Sequence, residues 1–130
     1  MLNDSRVEAN IPASDLQRAR NFYAEKLGLT PTEEFGEESL AYRTDAGTRF
    51  NIYRTSYAGQ AGHTIAQWHV DDIESEVRDL KTKGIRFEVY DMPGVTWDGE
   101  IASLGGMGRA AWFKDSEGNI MCIDQEGSTG

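Results

Sequence analysis

The chain states one structural pattern twice. A capped amphipathic helix closed by glycine, then strands, then an acidic glycine turn before an alternating strand, fills the first half and recurs in the second. Ser14-Asp15-Leu16-Gln17 opens the first helix and Leu27-Gly28-Leu29 closes it; Asp71-Asp72-Ile73-Glu74 and Lys83-Gly84-Ile85 do the same for the second. Ser14 and Asp71 are 57 residues apart, Gly28 and Gly84 56. Asp45-Ala46-Gly47 before Arg49 to Tyr53 is answered by Asp115-Ser116-Glu117-Gly118 before Asn119 to Asp124. Units this small cannot bury a sheet face alone, so the copies are expected to share one core or one cleft. A ligand is expected between them.

Residues 6–12 alternate Val7, Ala9 and Ile11 against Arg6, Glu8 and Asn10, the period of a half-buried strand. Val7, Ala9 and Ile11 are therefore assigned to the core, and Glu8 and Asn10 to the opposite face. Leu16, Ala19, Phe22, Tyr23 and Leu27 follow helical spacing behind a Ser14/Gln17 capping box, with Gly28 as C-cap and Pro31 as stop. Strands are expected at 32–35, 40–44 and 49–55. The first unit thus spans residues 5–57, and small, aperiodic residues 58–62 link it to a second unit at 63–126. That unit restarts with a strand at 64–70 and a helix carrying Ile73, Val77 and Leu80 on one stripe. Strands are expected at 87–90, 110–114 and 119–124, a long glycine-containing segment without period at 92–108, and a tail at 127–130. Helices inserted between strands, followed by meanders, argue for α+β rather than a doubly wound parallel sheet. The 130 residues form one domain.

Composition narrows the function. Twenty-two acidic against thirteen basic residues give a formal charge of −9, which repels the phosphate backbone, so no nucleic-acid partner is expected. An acidic surface serves solubility and also attracts cationic ligands. No stretch approaches the roughly 18 apolar residues of a membrane span, so no membrane partner is expected either. The single cysteine, Cys122, excludes an intramolecular disulfide. Met1 to Ser5 lack the basic and apolar regions of a secretory signal, and a cytoplasmic location is expected.

Three motifs in order carry a family resemblance. Pro12-Ala13-Ser14-Asp15-Leu16 with Asn21-Phe22-Tyr23 and Leu27-Gly28-Leu29, then His69-Val70-Asp71-Asp72-Ile73, then Trp112-Phe113-Lys114-Asp115-Ser116-Glu117-Gly118-Asn119, closely resemble the vicinal oxygen chelate superfamily. That superfamily holds glyoxalase I, extradiol dioxygenases, fosfomycin resistance enzymes and bleomycin resistance proteins. The resemblance covers about residues 5–126. It implies tandem βαβββ modules whose curved mixed sheets surround a shared cleft, commonly in a homodimer. It also implies, for the metal-dependent members, four ligands from the first and last strands of both modules, usually His, Gln or Glu.

Carried over position by position, that ligand set falls on Glu8, on Tyr53 or Asn51, on Ile65 and on Cys122, of which only Glu8 is a usual ligand. A register slip would bring in His63, and another Asp124, so a divalent metal stays open through non-standard positions. No cofactor is otherwise expected, and no metal ligand is assigned. Strand parity turns Glu8, Asn10, Tyr53, Gln67, His69, Cys122 and Asp124 inward and sends Trp68 and Val70 to the core. Trp97 and Trp112 offer a stacking surface for a cation. The candidate ligand-binding residues are Glu8, Tyr53, Gln67, His69, Trp112 and Cys122. Nucleophilic use of Cys122 with His69 as base is disfavoured, because acidic neighbours raise a thiol's pKa. Gly105-Gly106-Met107-Gly108 precedes no Lys-Ser or Lys-Thr and is not a phosphate loop. Two readings remain: a homodimer binding a small organic molecule, cationic ones included, in a metal-free cleft, or a divalent-metal lyase, isomerase or dioxygenase. Whether the chain is an enzyme is left open, and a typical glyoxalase I is not expected.

Overall fold

The computed structural model describes residues 1–127. The first half contains β1 (Ala9–Ala13), α1 (Leu16–Leu27), β2 (Glu33–Phe35), β3 (Ser39–Arg43) and β4 (Arg49–Arg54). The second contains β5 (Thr64–His69), α2 (Ile73–Thr82), β6 (Phe87–Glu88), β7 (Thr96–Asp98), β8 (Ile101–Ser103), β9 (Gly108–Lys114) and β10 (Ile120–Glu126). One sheet runs β1-β4-β3-β2 and the other β5-β10-β9-β8-β7, with β6 also on β9. In each, the strand before the helix lies parallel to the last strand, β1 on β4 and β5 on β10, and all other pairings are antiparallel. The α+β fold with tandem βαβββ units in mixed sheets is therefore present, the second unit enlarged by the β7-β8 hairpin. Among the described residues no helix is long and apolar enough to cross a membrane. Of the tail expected at 127–130, residues 128–130 lie outside the described residues.

Both helices begin one residue later than the spacing predicts. Asp15 caps α1 by accepting from the Arg18 amide at 3.0 Å, and Asp72 caps α2 by accepting from the Ser75 amide at 3.2 Å. At α1 the carboxylate answers both the orphan amides and the helix dipole, while the neighbouring Ser14 is engaged by Glu117; at α2 the choice lies between two aspartates. The Ser14/Gln17 capping box does not form, since Gln17 bonds Asn21 instead. Gly28 ends α1 at φ 71°, where only glycine is unstrained, and the Leu29 amide closes on the Tyr23 carbonyl.

Leu16, Ala19 and Tyr23 of α1 and Ile73, Val77 and Leu80 of α2 enter one hydrophobic cluster with Ile11, Tyr42, Ile52, Phe113, Met121 and Ile123. Each such side chain contributes about 1.5–3 kcal/mol by leaving water. Trp68 and Val70 pack against that cluster, and Phe50 meets Trp68 edge to face at 6.3 Å, joining the two sheets' inner sides. Val7 departs from expectation: it is 93% exposed, because β1 first pairs with β4 at Ala9 and Phe50 and no sheet lies under the preceding residues. The segment expected to lack structure at 92–108 contains the β7-β8 hairpin, turned by Gly99 and Glu100.

The turn before β10 fastens the halves together. Glu117 Oε1 accepts from the amides of Ser14 and Asp15, both at 2.9 Å, and its carboxylate takes Arg18 Nε at 2.8 Å. Asp115 receives the buried Tyr23 hydroxyl at 2.7 Å, and Asn119 donates to the Pro12 carbonyl at 2.8 Å. Gly59, in the expected linker, donates its amide to Asn119. It sits at φ 75°, and a Cβ there would lie 2.6 Å from the Glu117 carbonyl oxygen, so the close approach requires glycine.

Candidate functional site

Because α1 and α2 cover the inner side of the sheets, the alternate side chains of each sheet face outward. On the first sheet these are Asn10, Asn51 and Tyr53, brought together by pairing of Asn10 with Asn51 and Pro12 with Tyr53, with Glu8 immediately ahead of β1 beside them. They line an open cavity of about 610 Å³ with Arg49 and Phe35. Asn51 donates to Glu8 and to Asn10, each at 3.3 Å, and Arg49 Nε stands 3.2 Å from Glu8. Arg49 also reaches Glu33 at 3.6 Å. The Glu8 carboxylate is thus already paired with a cation.

The second sheet presents a different surface. Cys122 lies opposite Gln67 on one side and Trp112 on the other, and Asp124 lies opposite His69. Trp112 meets Trp97 and Tyr90, both at 6.0 Å between ring centroids, and its indole N–H donates to Thr64 Oγ1 at 3.2 Å. Tyr90 donates to Glu88 at 2.9 Å; burial first, then that carboxylate, push its phenol up to about 12 and keep it a donor. At the other end, Asp124 accepts from Gln67 Nε2 at 2.9 Å and faces His69 Nδ1. Cys122, expected at the ligand surface, is buried, and burial followed by the nearby Asp124 charge pushes its thiol up to about 12. Such a thiol stays protonated and inert.

The predicted residues therefore fall on two faces. Glu8 and Tyr53 share the first-sheet cavity, whose lining holds no residue of the second sheet. Gln67, His69 and Trp112 lie on the second-sheet face with Cys122 beneath. Sequence reasoning missed Arg49, Thr64, Glu88 and Tyr90. The alternation of Phe87 with Glu88 could have revealed the last two, since Phe87 opposes the buried Phe113 and Glu88 opposes Trp112. Thr64 had no such signal: the β5-β10 register shifts between Ile120 and Met121, pairing Thr64 with Ile120 but Ala66 with Met121. The extra residue turns Ile65 against the hydrophobic cluster and gives Thr64 the outward place.

The residues at the implied ligand positions do not fit a divalent metal. Glu8 is held by Arg49 and Asn51, the phenol of Tyr53 and the amide of Asn51 are weak donors, Ile65 points into the core, and Cys122 is a buried protonated thiol. Among the described residues no group of three or more His, Cys, Asp or Glu side chains is arranged to hold a metal ion.

The model of the Glyoxalase/Bleomycin resistance protein/Dioxygenase superfamily matches residues 6–123, and the chain belongs to that superfamily. Its fold is similar to the bleomycin resistance determinant encoded on transposon Tn5, with a TM-score of 0.70 at 18% identity, covering 94% of this chain and 98% of that one. A bleomycin-binding protein complexed with bleomycin superposes with a TM-score of 0.69 at 17% identity over 94% and 98% of the two chains. The E126Q mutant of the fosfomycin resistance protein FosX from Listeria monocytogenes, complexed with Mn(II) and 1S,2S-dihydroxypropylphosphonic acid, gives 0.67 at 15% identity over 96% and 92%. At these identities the likeness is one of fold. No curated protein matches the chain.

Proposed function

We propose that this protein binds a small organic molecule, with flat aromatic cations the best suited, against its outward sheet faces, and that it does so without a divalent metal. The observation that carries the reading is the Trp97, Trp112 and Tyr90 group, bordered by Glu88. A desolvated cation over such rings gains about 1–2 kcal/mol per ring, and a neighbouring carboxylate adds a charge-assisted contact. The donor chemistry at Glu8, Ile65 and Cys122 disfavours the metal-dependent lyase, isomerase or dioxygenase.

A homodimer suits this reading. Phe35 and Tyr53 are 53% and 41% exposed on the first-sheet face, whose cavity is open on one side, and a second copy would supply the missing wall. A cytoplasmic location suits the single reduced thiol. The test is isothermal titration against bleomycin and a panel of aromatic cations, together with light scattering for the oligomeric state. Binding of at least one cation, weakened about tenfold or more by Trp112→Ala, supports the proposal. Silence across the panel, or stoichiometric divalent metal retained by wild type and lost on Glu8→Ala, overturns it.

A further inference from the structure

The hairpin between β3 and β4 sets two arginines against each other at the end of the first sheet. Arg43, the last residue of β3, lies directly opposite Arg49, the first of β4. In the turn that joins them the Thr44 amide donates to the Thr48 carbonyl at 2.9 Å. Hydrogen-bonded and non-hydrogen-bonded pairs alternate along an antiparallel ladder, so the adjoining Arg43 and Arg49 form a pair of the second kind, in which side chains come closest. Like charges placed there repel.

Their own surroundings answer these charges incompletely. Arg43 is exposed and makes no ion pair among the described residues, not even with Asp45 of the turn. Arg49 reaches Glu8 and Glu33, but Glu8 Oε1, at 3.2 Å, stands out of line with the Nε proton. That buried nitrogen therefore has no hydrogen-bond partner among the described residues. The same sheet end opens into a cavity of about 710 Å³, walled by Arg6, Val7, Glu8 and Ala9 on one side and by Arg43, Arg49 and the turn on the other. Arg6 also lacks an ion pair among the described residues. Three arginines against one glutamate leave an excess of two positive charges, within a chain whose formal charge is −9. A phosphate monoester carries close to that charge with opposite sign near neutral pH, and the guanidinium fork matches its oxygens. Val7 is 93% exposed beside the arginines, an apolar surface that a bare inorganic ion would leave uncovered.

We infer that this sheet end is an anion site, in which Arg43 and Arg49 clamp the phosphoryl group of a small phosphate monoester, Arg6 closes over it, and Val7 and Ala9 cover its organic part. The site belongs to the first sheet, whereas Trp97 and Trp112 belong to the second. It therefore goes beyond the cation reading and stands or falls without it.

The test follows amide nitrogen-15 spectra at constant ionic strength, near pH 7.5, through titrations with phenyl phosphate, inorganic phosphate and benzyl alcohol. The expected result is saturable shifts at Arg43, Thr48 and Arg49, with phenyl phosphate bound about tenfold more tightly than inorganic phosphate and benzyl alcohol silent. Arg43→Gln should weaken phenyl phosphate about tenfold or more. Arg78→Gln, at an exposed arginine of α2, should leave its Kd unchanged. Arg43→Gln also removes the like-charge contact. Without phosphate its melting temperature should be no lower than that of wild type, and phenyl phosphate should raise the wild-type value by more. Absence of saturable shifts, or equal weakening by Arg78→Gln, overturns the site. Equal affinity for the two phosphates overturns the ester and shows an inorganic ion held by charge alone. A lower melting temperature for Arg43→Gln in phosphate-free buffer shows that Arg43 already serves the fold, and overturns its assignment to the clamp.

Discussion

Replacing Glu117 by glutamine should cost about 2–3 kcal/mol at neutral pH and much less in acid. The carboxylate is buried at the join between the halves, where it accepts the Ser14 and Asp15 amides at the start of α1, Arg18 Nε, and the Ser116 hydroxyl at 2.9 Å. Burial alone would raise its pKa, but the hydrogen bonds from Arg18, the Asp15 amide and Ser116 outweigh it and hold the group down at about 2 against an ordinary 4.5. Each tenfold change in proton affinity is worth about 1.4 kcal/mol, so the full effect is about 3 kcal/mol. Arg18 is half exposed, and solvent screening trims its share toward the lower figure.

The sign sets the pH window. A carboxylate whose pKa is depressed in the folded state stabilises fully above its unfolded value, and that contribution disappears as pH falls from about 4.5 toward 2. Asp115 works in the opposite sense. Its burial outweighs the bonds from Asn119 and Tyr23 and raises its pKa, so its protonation relieves a cost before Glu117 begins to titrate. Urea unfolding of wild type and Glu117→Gln at pH 7 and near pH 2.5, monitored by tryptophan fluorescence, separates the two. A difference that is equal at both pH values, or below about 0.5 kcal/mol at pH 7, would show that the Glu117 carboxylate does not hold the halves together.

Other substitutions test neighbouring contacts. Tyr23→Phe and Tyr42→Phe should move stability in opposite directions in chemical denaturation: the first loses a buried bond to a carboxylate and costs about 1.5–3 kcal/mol. The second removes a buried hydroxyl that finds no protein partner among the described residues, and should be neutral or stabilising by about 1 kcal/mol. Gly59→Ala combines a positive φ with a clash against the Glu117 carbonyl and should lower the melting temperature by several degrees, about 2 kcal/mol. Cys122 should resist Ellman's reagent at pH 8 in the native protein and react at once in urea, as a buried thiol with its pKa near 12 must.

The repeat made most of the fold legible before any coordinates. Strand and helix periods, the glycine closures and the acidic turns are local signals, and each reported on the residues that carry it. The misplaced α1 cap came from choosing between adjacent Ser14 and Asp15, where Glu117, about a hundred residues away, engages the serine, and the α2 cap from choosing between two adjacent aspartates. The β7-β8 hairpin was readable in principle, because Asp98-Gly99 between short runs containing Trp97 and Ile101 is a hairpin signal. The bulge at Thr64 and Ile65 was not, since nothing local marks a residue that one strand carries in excess of its partner.

That bulge also separates the legible from the illegible part of the site. Parity separated Gln67 and His69 from the core side of Trp68 and Val70, as the regular register there requires, but it turned them inward, whereas they lie on an outward sheet face. The division of sides failed only beyond Ala66, where Thr64 rather than Ile65 reaches the Trp112 indole. Charge relations were likewise hidden: no spacing rule says that Arg49 will neutralise Glu8 or that Asp124 will be buried beside His69, since each pair meets across a parallel strand pair 41 or 55 residues apart. The two pairings act differently on their sites. On the first sheet the guanidinium removes a carboxylate from service as a metal ligand or base, whereas on the second the buried Asp124 carboxylate holds Nδ1 of an exposed imidazole. The same fold position, a strand flanking the last strand of its sheet, thus pairs a carboxylate with a guanidinium in one half and with an imidazole in the other.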